Sequence, residues 1–139
     1  FFAEGAMLSK KSPSGAMFPY YYKNGELFGM HLGSYEDRED DLIAMMKAEE
    51  AFFMKERLTL GMWLDFYGTR LTDRVLRQLT EMICHFQPRI SKLALVGVSF
   101  WDRRKINRLF KEAGVIPRLP VRYYSDPEEA KTWLVNEMR

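Results

Sequence analysis

The run from Lys92 to Leu134 constrains the fold more than any other part of this chain. It reads KLALVGVSFWDRRKINRLFKEAGVIPRLPVRYYSDPEEAKTWL. An apolar strand, Leu93 to Val98, leads into an amphipathic helix from about Trp101 to Ala113, with Ile106, Leu109, Phe110 and Ala113 inward. Gly114 fits the left-handed position that closes a helix. A short strand follows at Val121 to Tyr124. Asp126 is then an N-cap and Pro127 the first residue of a last helix, which turns Ala130, Trp133 and Leu134 to the core. Strand, helix, strand, helix in this order implies parallel pairing through right-handed crossovers.

The preceding residues extend the alternation. Phe18 to Leu32 holds two β-favouring runs around Asn24-Gly25, a strong hairpin signal because a type I′ turn needs positive φ at both central residues. A helix is expected over roughly Tyr35 to Arg57. Leu42, Met45, Met46, Phe52 and Phe53 recur along it at helical spacing, and its first turns are acidic. Leu58 to Phe66 is apolar at nearly every position, as in a strand buried on both faces. Thr72 then caps a helix whose stripe is Val75, Leu76, Leu79, Met82, Ile83 and Phe86, with Pro88 just beyond it. The expectation is an α/β fold: a mostly parallel sheet of four or five strands, an N-terminal hairpin, and about four helices packed mainly on one face. Residues 18–139 form one domain. Residues 1–17, with SKKSPSGAM in the middle, read as a tail or a leftover segment.

Net charge is +2, but its distribution is uneven. Residues 36–56 are rich in Asp and Glu, and residues 101–122 in Arg and Lys. These are two solvated faces of opposite bias or a surface that steers a charged partner. The single cysteine excludes an internal disulfide framework and fits a reducing compartment. No apolar stretch approaches the roughly 20 residues a membrane helix needs, so the reading is cytoplasmic, without membrane contact.

Across Phe18 to Leu134 the order and spacing of several short motifs coincide with one family plan. A hairpin and an acidic helix precede a strand ending in Asp65-Phe66-Tyr67-Gly68. A second strand ends in Leu95-Val96-Gly97-Val98-Ser99, and the helix after it in Ala113-Gly114-Val115. The segment Asp126 to Leu134 closes the domain. In this the chain resembles the STAS domain family, whose anti-sigma-factor antagonists are binding and switching modules rather than enzymes. The resemblance implies a partner surface after the first of these strands and in the neighbouring loop. The residues there are Asp65, Gly68, Thr69, Thr72, Asp73, Ser99, Trp101 and Arg103. It also implies a protein partner, such as a regulatory kinase or an anti-sigma-like factor, and no cofactor. One departure stands out. Antagonists of the family carry a phosphoacceptor serine where this chain reads Thr69-Arg70-Leu71-Thr72-Asp73-Arg74-Val75, with Thr69 and Thr72 the only hydroxyls.

Other chemistry has little support. His31 and His85 are far apart, and Cys84-His85 are adjacent and point apart on a helix, so no metal site is expected. Cys84 suits a small core position. Asp65 at a strand end reads as a carboxylate capping turn amides. The acidic pair and lysine of a receiver-type phosphoacceptor site are missing. No nucleic-acid motif accompanies Arg103-Arg104-Lys105, and nucleic acid is not expected as a partner. The hairpin aromatics Phe18, Tyr20, Tyr21, Tyr22 and Phe28 suit a homodimer face or a pocket wall, with Phe1 and Phe2 as cover. The alternative to a protein-interaction module is therefore a small-molecule or lipid-binding domain. Its expected site is a closed apolar pocket lined by Tyr22, Met30, Met62 and Trp63.

Overall fold

A computed structural model of the chain describes residues 10–56 and 59–136. The strands are β1 Lys10–Lys11, β2 Met17–Phe18, β3 Tyr20–Tyr22, β4 Gly25–His31, β5 Leu60–Asp65, β6 Ile90–Val96 and β7 Val121–Tyr124. The helices are α1 Glu39–Met54, α2 Asp73–Phe86, α3 Phe100–Glu112 and α4 Pro127–Val135. Strands β3 to β7 form one five-stranded sheet in sequential order. The first pair is antiparallel and the others are parallel. The expected fold class is thus the observed one. Crossovers of one hand stepping in one direction leave α1, α2 and α3 on one face, and α4 covers the other.

The alternation of side chains along each strand divides the core in two. Phe28, Met30, Met62, Leu64, Leu93 and Leu95 face α1, α2 and α3. Leu27, Trp63, Ala94 and Val96 face α4, where they meet Ala130, Trp133 and Leu134. This two-sided burial is why β5 and β6 read as continuous apolar runs. The α4 side is shallow at Gly29, where a Cβ would lie 2.3–2.5 Å from three ring atoms of Trp63. Trp63 lies flat over this glycine, with Tyr20 edge-on at 5.6 Å and the Lys131 ammonium 5.2 Å from its ring centre.

The same division overturns the expected apolar pocket. Met30 and Met62 are fully buried on the three-helix face, while Tyr22 and Trp63 belong to the α4 face. The sheet itself separates them, so the four cannot line one cavity. Three local expectations also shift. Tyr22 pairs with Gly25, so the hairpin turn is Lys23-Asn24, with φ of 45° and 69°, one residue earlier than expected. Helix α1 starts at Glu39 rather than Tyr35, because residues 34–36 are hydrogen-bonded to the loop after β5, with Ser34 and Glu36 in the left-handed region at φ 63° and 55°. Ser34 N–H donates to Tyr67 O (2.6 Å), Glu36 N–H to Gly68 O (2.7 Å), and Arg70 N–H to Glu36 O (2.8 Å). The expected helix end at Arg57, the strand start at Leu58 and the cover from Phe1 and Phe2 lie outside the described residues.

Residues 10–17, expected to be a tail, are part of the fold. β1 and β2 pair antiparallel, and Phe18 inserts edge-on among Phe28, Phe52 and Phe53 at centroid distances of 5.0, 5.4 and 6.1 Å. Burying such a ring is worth about 2–3 kcal/mol, enough to hold a short hairpin down. The turn between β1 and β2 is tied to a buried carboxylate on α1. Glu49 Oε2 accepts from Ser12 Oγ at 2.9 Å, from Ser14 N at 3.3 Å and from Ser14 Oγ. Among the described residues its Oε1 has no hydrogen-bond partner. Burial pushes the Glu49 carboxyl above its ordinary range, and the serine hydrogen bonds only partly offset this.

Candidate functional site

In a parallel sheet the loops at the carboxyl ends of the strands gather at one edge. Here that edge is made by the segments after β4, β5, β6 and β7. Asp65 ends β5, and its Oδ1 accepts from Tyr67 N at 3.0 Å, the capping role read from sequence. Gly68, at φ +71°, gives its carbonyl to Glu36. Thr69 Oγ1 donates to Leu32 O at 2.7 Å and accepts from Tyr35 N at 3.1 Å, clamping the loop after β4 to the loop after β5. Tyr67 extends the clamp across the edge. Its ring packs where a Cβ on Gly97 would be 2.9 Å away, and its hydroxyl donates to Ser125 O at 2.5 Å.

Helix α2 starts here with Thr72 as N-cap, its Oγ1 accepting from Val75 N at 3.2 Å. The same hydroxyl donates to Glu39 Oε1, and Arg74 reaches Glu39 (2.9 Å) and Asp40 (2.6 Å). The Thr72 hydrogen bond, followed by the one from Arg74, holds the Glu39 carboxyl below the ordinary carboxylate range. The acidic start of α1 is therefore partly neutralised from within the fold. The hydroxyls of Thr69 and Thr72 are both engaged in structural hydrogen bonds. A phosphate on Thr72 would face the Glu39 carboxylate and lose the cap.

Helix α3 starts with Ser99, whose Oγ accepts from Asp102 N at 3.1 Å. Its first turn projects Phe100 and Trp101, which are 58% and 71% exposed and meet edge-to-face at 5.4 Å. Arg104 lies 5.9 Å from the Phe100 ring centre. Between the starts of α2 and α3 runs an open groove of about 470 Å3, lined by Thr69, Arg70, Leu71, Thr72, Asp73, Asp102 and Lys105. The fold thus brings Thr69, Thr72 and Asp73 together, with Ser99 and Trp101 on the adjoining helix. Arg103 goes elsewhere. It turns toward β7 and stacks 4.8 Å over the Tyr123 ring. Burial pushes the Tyr123 phenol well above its ordinary range, with Arg103 acting in the opposite direction, and its hydroxyl donates to Asn107 at 2.8 Å.

Sequence reading missed Tyr67 and Phe100. Two consecutive large aromatics ahead of the Ile106–Phe110 stripe were the available signal, since neither continues that stripe. A depression of about 660 Å3 lies over the outer side of α4, between Tyr22 and Lys23 on one flank and Arg122 and Tyr124 on the other. It is an open saddle across a helix rather than an enclosed site. Among the described residues no group of His, Cys, Asp and Glu is placed to hold a metal ion, and no helix is long and apolar enough to cross a membrane. Cys84 packs partly buried against the core. Comparison with protein-family models, with curated proteins and with solved structures gives no match.

Proposed function

We propose that the protein is a non-catalytic regulatory module, similar in plan to STAS-domain anti-sigma-factor antagonists. It acts in the cytoplasm by docking another protein, a regulatory kinase or an anti-sigma-like factor, at the edge formed by the starts of α2 and α3. The observation that carries this reading is the Phe100–Trp101 pair. Large aromatics at such exposure are disfavoured on a free surface and enriched at the centres of protein interfaces, especially beside arginine. Here both stand on a capped helix start, on the helix that also supplies Asp102 and Lys105 to a groove of mixed charge.

Two further observations support a binding role. The hydroxyls of Thr69, Thr72 and Ser99 are each occupied in holding a loop or capping a helix. The groups with displaced titration lie in separate places, Glu49 under β1 and β2, Tyr123 against α3, Glu39 with Arg74 at the starts of α1 and α2, and Glu128 with Lys131 on α4. Binding of a small molecule or lipid has less behind it, since its expected lining is split between the two sheet faces.

The test is affinity capture from native lysate with the wild type and a Phe100→Ser/Trp101→Ser variant, read by mass spectrometry. A protein held by the wild type and lost by the variant supports the reading. Equal retention by both, or none by either, refutes it.

A further inference from the structure

Helices α2 and α3 lie side by side, and a second groove runs between them. Leu76 and Leu109 line it with Asp73, Arg77, Lys105 and Arg108. It is continuous with the groove at the helix starts, because Asp73 and Lys105 line both. Arg77, Lys105 and Arg108 thus face one carboxylate, Asp73, between the helices, and Asp102 lies in the adjoining groove at the helix starts. The one ion pair across the groove, Lys105 to Asp73, is long at 3.6 Å, and its side chains are 47% and 72% exposed. Such a pair contributes little and exchanges readily. Arg77 and Arg108 are exposed, and among the described residues neither has a carboxylate within ion-pair distance.

We infer that this groove takes an acidic segment of the partner protein, with carboxylates on Arg77, Lys105 and Arg108 and an apolar side chain against Leu109, which is half-buried at the groove floor. The inference rests on the docking role proposed above and adds the chemistry of the partner. Lys105 exchanges Asp73 for the incoming carboxylate. The adjoining Phe100–Trp101 pair supplies the apolar end of the contact, and the arginines supply its orientation.

A polyanion such as RNA fits less well. Asp73 and Asp102 lie in the grooves, and the acidic start of α1 adjoins α2 through the Arg74–Asp40 contact. A long phosphate backbone following the arginines would meet these carboxylates, whereas a short acidic segment ends before them.

The experiment is a fluorescence-anisotropy titration. The probe is a labelled helical peptide with glutamates at i and i+4 and leucine anchors, and its glutamine analogue is the control. Both are titrated with the wild type and with Arg77→Glu/Arg108→Glu. The expected result is binding of the acidic peptide that weakens with salt, a loss of about tenfold or more on charge reversal, a similar loss for the glutamine peptide, and retention in Arg77→Lys/Arg108→Lys. Both arginines are exposed, so thermal melting should not change. The inference is overturned by no binding, by equal binding to wild type and reversed variant, by tighter binding of an RNA oligonucleotide or anionic vesicles, or by self-association through the same arginines in sedimentation. Repeating the lysate capture with the reversed variant separates the two ideas. A partner lost with Phe100→Ser/Trp101→Ser but kept with the reversal leaves docking intact and removes only the acidic chemistry.

Discussion

Replacing Gly29 by alanine probes the seating of Trp63 between the sheet and α4. The added Cβ would sit 2.3, 2.4 and 2.5 Å from three Trp63 ring atoms. Ordinary carbon contacts begin about 1 Å further out, so the ring must move by roughly that amount. It has little room, being 6% exposed with Tyr20 at its edge and Lys131 over its face. Overpacking of this kind costs about 1–3 kcal/mol. Gly29 has no positive φ, so alanine adds no backbone strain and recovers about 0.5–1 kcal/mol of unfolded-state entropy. The net expectation is a destabilisation of about 1–2 kcal/mol. For a chain of this length that corresponds to a fall in Tm of roughly 3–7 °C. Urea unfolding followed by far-UV circular dichroism should show a lower midpoint with an unchanged slope. In a Trp63→Phe background, where the smaller ring removes the collision, the penalty should largely vanish. A Gly29→Ala protein as stable as wild type, or an equal penalty in both backgrounds, would refute the steric argument.

Glu49→Gln isolates the buried carboxylate beneath β1 and β2. Its folded-state value is raised by burial, so the folded state holds the proton more tightly than the unfolded chain. Wild-type stability should therefore fall as pH rises from about 4.5, the ordinary carboxylate value, through the folded value, and then level off. The wild-type-minus-variant difference in urea midpoint should follow that fall, and a pH-independent difference would sink the assignment. Thr72→Ala removes the α2 cap and the bond to Glu39, and should cost about 1 kcal/mol or somewhat more in equilibrium unfolding. Phe100→Ser/Trp101→Ser should leave the urea midpoint within about 0.5 kcal/mol of wild type, because these rings are exposed, while abolishing partner capture. A marked loss of stability would mean that the pair belongs to the fold.

Local chemistry explains why so much of the architecture is legible in the chain. Each signal acts within a few residues. Thr72, Ser99 and Asp126 accept hydrogen bonds from backbone amides two or three positions on, at 3.2, 3.1 and 2.9 Å. Gly114 takes its φ of +80° directly after α3. The apolar runs of β5 and β6 announce burial on both faces whatever covers them. Element order, the parallel sheet and the carboxyl ends of β5, β6 and β7 to within two residues follow from such signals.

What the sequence could not determine depends on groups far apart in the chain. Residues 10–17 carry no strong pattern, and their place is fixed by Glu49 and by Phe52 and Phe53 on α1. The start of α1 is delayed by hydrogen bonds to the loop after β5. Alternation shows that Met30 and Tyr22 face some side, but only the assembled sheet shows that the sides are opposite. The functional edge behaves likewise. Asp65 and Thr72 cap nearby amides as their sequence positions suggest, but only tertiary contacts tie Thr69 to Leu32 and Tyr35 and Thr72 to Glu39. The same contacts leave Phe100, Trp101 and the Arg77–Lys105–Arg108 groove facing outward. Composition and spacing determine what each segment can become, because capping and periodicity are short-range. Which side chains remain free to meet a partner is decided only when distant segments have taken their own hydrogen bonds and charges out of play.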